Sequence, residues 1–330
     1  MMTGDSAMLK ASYNVHNLIR RTFGQVPGGM FGADENARMG SIDPRQGVET
    51  CGLVEQMASD ELMLCMTGDP LWAEHCEEVA FNSYPAAVMP DFKGLRYITC
   101  PNQTVSDSKN HHPGIDNRGP FLAMNPFSSR CCQHNHAQGW PYYAEHLILA
   151  TPDNGVAAAM YAACKATVKV GDGNEISLHE QTNYPFEETI RFTVNTPKAV
   201  SFPFYLRIPS WTEGATIFVN GKKVAANPEA GQYACINREW KDNDQVEIQL
   251  PMQLSMRTWQ VNKNSVSVDY GPLTMSLKID EDYVKKDTAA LRLSVTLNGR
   301  KALTPANGRH TRSMQKLLGT THWYSVRTNL

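Results

Sequence analysis

The stretch ETIRFTVNTPKAVSFPFYLRI, residues 188–208, alternates apolar and polar side chains on both sides of a Thr-Pro-Lys turn. This period of two is typical of β-strands that bury one face. Further short segments of the same kind lie between residues 166 and 279, separated by turn sequences such as Asn220-Gly221. The spacing of strands and turns predicts an antiparallel β-sandwich.

The first half of the chain has the longer period of amphipathic helices. Helices are predicted over residues 5–23, 48–67, 71–83 and 136–150, with Gly- and Pro-rich loops at 24–47 and 84–133. The period changes near Thr151-Pro152-Asp153-Asn154-Gly155. We therefore expect a multidomain α + β chain, with a helical domain over 1–150 and a β-sandwich domain over 151–290.

The composition argues against several classes of protein. Of the 330 residues, 42% are hydrophobic and 19% are charged, and the net charge of −2 comes without a basic stripe. Nucleic acid is therefore not an expected partner. No membrane span is predicted, because the longest apolar run is too short. The chain does not open with a basic region and an apolar stretch, so no signal peptide is predicted and its location stays open.

The last forty residues differ from the rest in charge. Every acidic residue lies at or before Asp287, and residues 291–330 contain none. One hypothesis is that the tail is read in the wrong frame, since a one-nucleotide shift of a back-translated sequence restores acidic residues. The alternative is a genuine basic tail with little structure of its own. Sequencing the source gene decides between them.

The cysteines favour a metal site over a disulfide scaffold. Eight are present without a CxxC pair, but Cys131 and Cys132 are adjacent, and adjacent cysteines do not easily form a disulfide with each other. Glu49 and Cys51 stand at a predicted helix start, where both can reach one ion. One carboxylate and three thiolates would fill a tetrahedral zinc site. The alternative is that these cysteines are small core residues.

Charged residues on the Gly-rich loop and histidines after the cysteine pair are further candidates. The loop of residues 27–51 includes Asp34 and Glu35, which line either a pocket or a solvated surface. His134 and His136 follow the cysteine pair closely and are candidates for a pocket, whereas a cysteine with a nearby histidine also occurs in thiol hydrolases. Ordinary hydrogen-bonded roles are favoured for His16, His75 and His146.

Four segments together resemble glycoside hydrolase family 127, the β-L-arabinofuranosidase family. They are GGMFGADEN at 28–36, ETC at 49–51, SRCCQHN at 129–135 and LRIPSWTEGATIFVNGKKV at 206–224. The resemblance covers residues 5 to about 286. It implies the C-terminal part of an (α/α)6 barrel, followed by an antiparallel β-sandwich.

The resemblance also implies a reaction. Family members of this type are retaining glycosidases that act on L-arabinofuranosyl or related pectic sugars in plant polysaccharide or glycan side chains. The ligands of a zinc ion would be Glu49, Cys51, Cys131 and Cys132. Cys131 would be the nucleophile and Glu35 the acid/base, so that sulfur replaces the second carboxylate of the usual retaining scheme.

Some features depart from the family pattern, and alternatives stay open. Glu35 lies about two residues closer to the ETC motif than the family's acid/base, which makes the adjacent Asp34 a rival acid. Asp34, His134 and His136 are candidates for substrate binding. A glycosidase with a carboxylate pair would need Asp43 or Asp116 in place of the cysteine. A carbohydrate-binding or structural fragment without catalysis is the alternative outside the enzymes.

The predicted helices account for only part of a barrel. The family fold is about twice this length, so the chain is expected to be a fragment. A half barrel would expose an apolar face, which predicts self-association. The full-length relative is expected to be a bacterial periplasmic or secreted protein.

Overall fold

A computed structural model of the chain describes residues 5–23, 27–33, 47–88, 92, 94–101, 122–123, 131–226 and 228–277. Asp34, Glu35, Asp43, Asp116 and the tail 291–330 lie outside the described residues. No helix among the residues described is both long and apolar enough to cross a membrane.

Helices make up most of the described chain before residue 146. They are α1 (Ser6–Thr22), α2 (Thr50–Thr67), α3 (Pro70–Glu78), α4 (Tyr84–Ala86), α5 (Cys131–His136) and α6 (Gly139–Glu145), and a π-helical turn, Val79–Ser83, joins α3 to α4. The Asp5 and Asp69 side chains cap α1 and α3 by accepting hydrogen bonds from backbone N–H groups of the first turn. The helical prediction for this half is confirmed.

The helical core is centred on α2. Leu53, Val54 and Met57 are fully buried there against Trp72 and Cys76 of α3. Helix α1, in contrast, buries none of its residues. It is attached through its polar and aromatic side chains, as in the hydrogen bond from Tyr13 to Asp69.

Short strands also occur between the helices of this half of the chain. They are β1 (Val48–Glu49), β2 (Leu95–Arg96), β3 (Ile98–Thr99) and β4 (Leu122–Ala123). Strand β1 pairs with β3 in antiparallel register, so that Glu49 lies opposite Ile98. This pairing leads directly into α2 and fixes the backbone at its first turn.

Two sheets form the sandwich. The strands are β5 (Ile148–Ala150), β6 (Val156–Ala158), β7 (Cys164–Val170), β8 (Asn174–Thr182), β9 (Thr189–Asn195), β10 (Val200–Ile208), β11 (Thr216–Val219), β12 (Lys222–Lys223), β13 (Gln232–Trp240) and β14 (Asp244–Gln249). One sheet has the order β13-β10-β6-β5 and the other the order β12-β11-β14-β9-β8-β7. Ile190 and Phe192 of β9 share a core with Phe202 and Phe204 of β10, as the alternating pattern predicts.

Two details of the sandwich differ from the sequence-based expectation. The helix predicted over 136–150 ends at Glu145, and Ile148–Ala150 is instead a strand that pairs with β6 across the turn at 151–155. Sheet pairing outweighs the helical period there. The pairing of β6 with β10 is parallel, with Phe204 opposite Val156, whereas the other sandwich pairings are antiparallel.

A third sheet contacts the helical part. It consists of β15 (Leu254–Trp259), β16 (Ser265–Tyr270) and β17 (Leu273–Met275). Arg257 forms an ion pair of 2.6 Å with Glu78 of α3, and the Thr274 backbone N–H donates to the Asn82 side chain at 2.7 Å. These contacts fix the sheet against the π-helical turn.

A buried ion pair joins the helices to the sandwich. Glu77 of α3 and Arg207 of β10 are both buried, with 2.5 Å between Oε2 and Nη2. The Tyr184 hydroxyl donates to Glu77 at 2.7 Å and the Tyr161 backbone N–H at 3.0 Å. Burial raises the pKa of Glu77, although Arg207 and the hydrogen bonds oppose that rise. The carboxylate therefore depends on partners from the sandwich.

Candidate metal centre and active site

Four side chains from distant parts of the helical region converge. The donor atoms of Glu49, Cys51, Cys131 and Cys132 all lie within 4.8 Å of one another. The Cys51 and Cys132 sulfurs are 3.3 Å apart, and Glu49 Oε1 lies 3.5 Å from Cys132 Sγ and 3.8 Å from Cys131 Sγ. The structure thus brings together the four residues that the sequence suggested as ligands, and their cluster could bind a metal ion.

Local structure explains this convergence. Glu49 ends β1 and Cys51 lies in the first turn of α2, so the change from strand to helix points both side chains into one space. Thr50 between them is buried, and it donates its backbone N–H to Tyr97 O at 3.0 Å and its hydroxyl to Arg96 O at 2.6 Å. Cys131 and Cys132 begin α5, which packs on α2.

The donor set fits a zinc ion. Zinc–sulfur bonds of about 2.3 Å in a tetrahedron place neighbouring sulfurs about 3.8 Å apart. The Cys51 and Cys132 sulfurs, 3.3 Å apart, are about half an ångström closer than that. With a zinc–oxygen bond of about 2.0–2.2 Å, an oxygen and a sulfur ligand would lie about 3.5 Å apart, and Glu49 Oε1 lies 3.5 and 3.8 Å from the Cys132 and Cys131 sulfurs. Thiolates are soft ligands that favour zinc over magnesium or calcium. A bound ion would therefore be held by Glu49, Cys51, Cys131 and Cys132.

Burial keeps the Cys51 and Cys132 thiols of the metal-free cluster protonated. Burial raises the pKa of the Cys51 thiol to about 12; Cys131 and Glu49 add to the rise, whereas the hydrogen bond with Cys132 opposes it. Burial likewise raises the pKa of Cys132, which lies against Cys51 and Glu49. A divalent cation would reverse this preference, because it binds the thiolate and not the thiol. Metal binding at this cluster should therefore release protons.

The four side chains differ in exposure to solvent. Glu49 and Cys132 are buried, with 8% and 1% of their surface exposed, and Cys51 is half-buried. Cys131 is exposed. Cys131 is thus the most exposed residue of the cluster.

The two histidines after the cysteine pair occupy different environments. On a helix, residues three or four apart share a face, so His134 lies on the side of the exposed Cys131 and His136 on the side of the buried Cys132. His134 is exposed. The His136 ring stacks on Tyr84 with 4.5 Å between centroids, and burial lowers its pKa. Their roles in substrate binding stay predictions.

Tyr84 was not anticipated from the sequence. Its hydroxyl donates to the His136 backbone carbonyl, and its ring supports the His136 imidazole. A Cβ on Gly139 would lie 2.6 Å from Tyr84 Cζ. The sequence signal for this contact was Gly139, because a glycine inside an otherwise helical segment marks a place where another group approaches the backbone closely.

The described end of the Gly-rich loop lies beside the cluster. The Ala33 backbone N–H donates to Gly47 O and its carbonyl accepts from the Glu49 N–H, both at 3.0 Å. Asp34 and Glu35 follow directly, outside the described residues.

Comparison with known proteins agrees with this architecture. Residues 1–145 match the model of the β-L-arabinofuranosidase GH127 catalytic domain, and residues 155–252 match the GH127 middle domain. Together the two matches span most of the chain. The chain belongs to glycoside hydrolase family 127, as the sequence motifs suggested.

Solved structures show the same fold over part of their length. A GH127 β-L-arabinofuranosidase from Geobacillus stearothermophilus T6 is 23% identical with a TM-score of 0.70, over 83% of this chain and 44% of its own. The GH127 β-arabinofuranosidase BT3674 is 22% identical with a TM-score of 0.66, over 83% and 44%. A protein described as a glycoside hydrolase is 28% identical with a TM-score of 0.59, over 70% and 38%.

The chain therefore spans less than half the length of the solved structures it matches. No curated protein matches it.

Proposed function

We propose that this chain contributes the metal centre and nucleophile of a retaining β-L-arabinofuranosidase, with Cys131 as the nucleophile and Glu35 as the acid/base. The substrate would be an L-arabinofuranosyl or related pectic sugar at the end of a plant polysaccharide or glycan side chain. Membership in family 127 supports the class of reaction. The sugar and the roles of individual residues are our proposal.

We assign Cys131 as the nucleophile because it is the exposed cysteine of the cluster. A nucleophilic sulfur must reach the anomeric carbon of a sugar that arrives from solvent. Of the three clustered thiols, Cys51 and Cys132 are recessed and Cys131 is exposed. A bound zinc ion would stabilise the thiolate form of this sulfur at neutral pH, because a metal lowers the pKa of a thiol.

The reaction would proceed in two displacements. In the first, Cys131 Sγ forms a bond to the anomeric carbon while the glycosidic C–O bond breaks and Glu35 gives its proton to the departing oxygen. In the second, water attacks the same carbon, Glu35 takes a proton from that water, and the C–S bond breaks to release the sugar and the thiolate. Two inversions give retention of configuration.

The pairing of Ala33 with Glu49 supports Glu35 as the acid/base. The backbone hydrogen bonds of Ala33 join the last described residue of this part of the loop to Gly47 and Glu49, and Asp34 and Glu35 follow it in sequence. Asp34 stays the rival acid. The variants Glu35→Gln and Asp34→Asn distinguish the two residues. Removal of the true acid should reduce activity most on substrates whose leaving group needs a proton, and least on substrates whose leaving group departs without one.

His134 and His136 would bind the sugar. His134 shares a helix face with Cys131, where its ring can donate to a sugar hydroxyl. His136 is held by Tyr84, and its Nε2 has no hydrogen-bond partner among the described residues. A buried nitrogen without a partner costs free energy, which a sugar hydroxyl could recover.

The decisive experiment combines metal content, turnover and trapping. After desalting, the chain should retain about one zinc ion and hydrolyse an aryl β-L-arabinofuranoside. Rapid quenching should reveal one pentosyl group on the peptide that contains Cys131. Cys131→Ser should abolish turnover and trapping, whereas Cys235→Ser, on an exposed strand position, should change neither.

Two outcomes would overturn the proposal. Unchanged turnover in Cys131→Ser would favour a carboxylate pair that uses Asp43 or Asp116. Sugar binding without turnover in the zinc-loaded chain would favour the non-catalytic alternative, a carbohydrate-binding fragment.

A further inference from the structure

The Gly-rich loop is fixed to the helices at Gly28 and Gly29. Both glycines have positive φ, 88° and 87°, and a Cβ on Gly28 would lie 2.3 Å from Ser83 Oγ. The Ser83 hydroxyl donates to Gly28 O at 2.7 Å. No other residue type fits this conformation so close to the π-helical turn.

The Gly29 carbonyl receives two donors from different helices. His75 Nε2 of α3 and Arg20 Nη1 of α1 each lie 2.5 Å from Gly29 O. A carbonyl oxygen has two lone pairs and can accept both. His75 Nδ1 lies 2.7 Å from Asp60 Oδ2, and Asp60 is fully buried. We call these three side chains, Arg20, Asp60 and His75, the Gly29 clamp.

Both ring nitrogens of His75 already have protein partners. Nδ1 faces Asp60, whereas Nε2 faces both Gly29 O and, at 2.8 Å, Arg20 Nη1. The doubly protonated ring donates from Nε2 to Gly29 O, and the neutral ring accepts at Nε2 from Arg20, so in either form His75 and Arg20 hold the Gly29 carbonyl together. His16, Asp60 and His75 lie close enough together to suggest a metal site. However, both ring nitrogens of His75 are already engaged by Asp60, Arg20 and Gly29 O.

Charged groups around His75 favour its doubly protonated form. Burial by itself lowers the pKa of His75, but the Asp60 carboxylate outweighs burial and the net pKa is raised. Arg20 opposes the rise and Glu78 supports it. The neighbouring His16 has its pKa lowered to about 4 by burial, His75 and Arg20, so it adds no positive charge at neutral pH.

The clamp holds one end of a segment whose other end lies at the metal centre. From Gly29 the chain runs through Met30, which is 2% exposed, to Ala33. Ala33 is hydrogen-bonded to Gly47 and Glu49. Residues 29–33 are therefore held at both ends, and the next two residues are Asp34 and Glu35.

We propose that Arg20 and His75 are positioning residues for the acid/base, because they fix the Gly29 carbonyl and with it the segment that leads to Glu35. This proposal rests on the proposed function. Neither residue needs to touch the substrate. Loss of the clamp would let the segment shift, and a misplacement of about 1 Å can cost a catalytic group about 100-fold in rate.

The test uses Arg20, because α1 buries no residue and its variants should fold. Arg20→Met keeps the length of the side chain and removes the donors, and Arg20→Lys restores one cationic donor. Arg21→Met, at the exposed neighbouring position on the same helix, is the matched control.

Two readouts distinguish positioning from a general structural role. For Arg20→Met, kcat/KM should fall about 10–100-fold on an alkyl arabinofuranoside, whose leaving group needs a proton, but less than about 3-fold on a dinitrophenyl arabinofuranoside. Hydrogen exchange of peptides covering residues 29–33 should become faster while metal content stays unchanged. Arg20→Lys should recover most of both effects, and Arg21→Met should resemble wild type.

The result can fail in two separate ways. Equal losses on both substrates, or unchanged exchange in residues 29–33 of Arg20→Met, would overturn the clamp. A zinc-loaded wild-type chain without turnover of either substrate would reject the proposed function, and with it the catalytic consequence of the clamp. The exchange comparison would then still decide whether Arg20 holds the segment.

Discussion

The sulfur atoms of Cys51 and Cys132 lie 3.3 Å apart, although 81 positions separate the two residues in sequence. One sulfur lies on the first turn of α2 and the other on α5, so their distance depends on how these two helices pack. A metal bound by both would link the helices and stabilise the fold by mass action.

Removal of the buried ligand should therefore weaken both the metal site and the fold. We expect Cys132→Ser to lower zinc affinity by more than about 100-fold, which exceeds the effect usual for residues outside the ligand set. Competition with a chromophoric chelator measures this loss. Zinc should raise the melting temperature of wild type and of the control Cys65→Ser, but not that of Cys132→Ser.

Bound metal should protect Cys131 from alkylation. Its sulfur is exposed, and so is that of Cys235 in the sandwich. Without metal, iodoacetamide should modify both, whereas with zinc the modification of Cys131 should slow while that of Cys235 does not change. Mass spectrometry of the modified peptides gives both rates in one sample. Equal rates for Cys131 with and without zinc would contradict its role as a ligand.

Loss of the Glu77 carboxylate should be strongly destabilising. Glu77→Gln would leave the buried Arg207 without its counter-ion, which costs about 3–5 kcal/mol of unfolding free energy. Urea denaturation measures the loss. Glu247→Gln removes the half-buried partner of the exposed Arg191 and should cost less than about 1 kcal/mol. Similar losses in the two variants would contradict the importance of the buried pair.

The stability that His75 contributes should depend on pH. Its pKa in the folded protein is raised above the ordinary value of 6.5 by Asp60, against burial and Arg20. A raised pKa means that the stabilisation is complete below about pH 6.5 and is lost as the pH rises through the folded pKa.

We expect wild type to lose this contribution as the pH rises from about 6.5 through the raised pKa of His75 in the folded protein, and His75→Gln to lack that part of the slope. Unfolding free energies across this range test the expectation. His179→Gln, at an exposed position of β8, is the control and should keep the wild-type slope. A wild-type slope in His75→Gln would disprove the protonated clamp.

Helix α1 should promote self-association. Met8, Leu9, Val15 and Leu18 are exposed on it, and between 40% and 63% of each is accessible. We expect light scattering to show oligomers that become smaller in Val15→Lys, because a charge opposes apolar association. Phe186→Lys, an exposed position of the sandwich, should leave the oligomers unchanged. A monodisperse wild-type monomer at high concentration would contradict the expectation.

Local patterns predicted the sandwich well. The alternation in residues 188–208 identified which side chains face the core, and Ile190, Phe192, Phe202 and Phe204 are buried there. Such a pattern carries no information about partners, so the parallel pairing of β6 with β10 could not be foreseen. The sequence predicts a helix at the residues of β5, because their apolar side chains fit the period of a helix as well as that of a strand. Only the pairing with β6 distinguishes the two structures.

The metal cluster was predictable in part. The change from strand to helix at Glu49 and Cys51 gave a local reason for both side chains to reach one ion. Ligand chemistry suggested that the cysteine pair joins them, and the family resemblance implied the same set, but no local rule encodes the packing of α5 on α2 that brings them together. The Gly29 clamp was missed for the same reason: Arg20 and His75 approach the Gly29 carbonyl from separate helices.

The Glu77–Arg207 pair determines which parts of this protein could be moved to another scaffold. A helical half excised on its own would carry a buried carboxylate stripped of Arg207, Tyr184 and the Tyr161 backbone. The sandwich is therefore a folding partner of the helices and not a detachable module. A minimal version of the metal centre would have to keep β10 or replace Glu77 with an apolar residue.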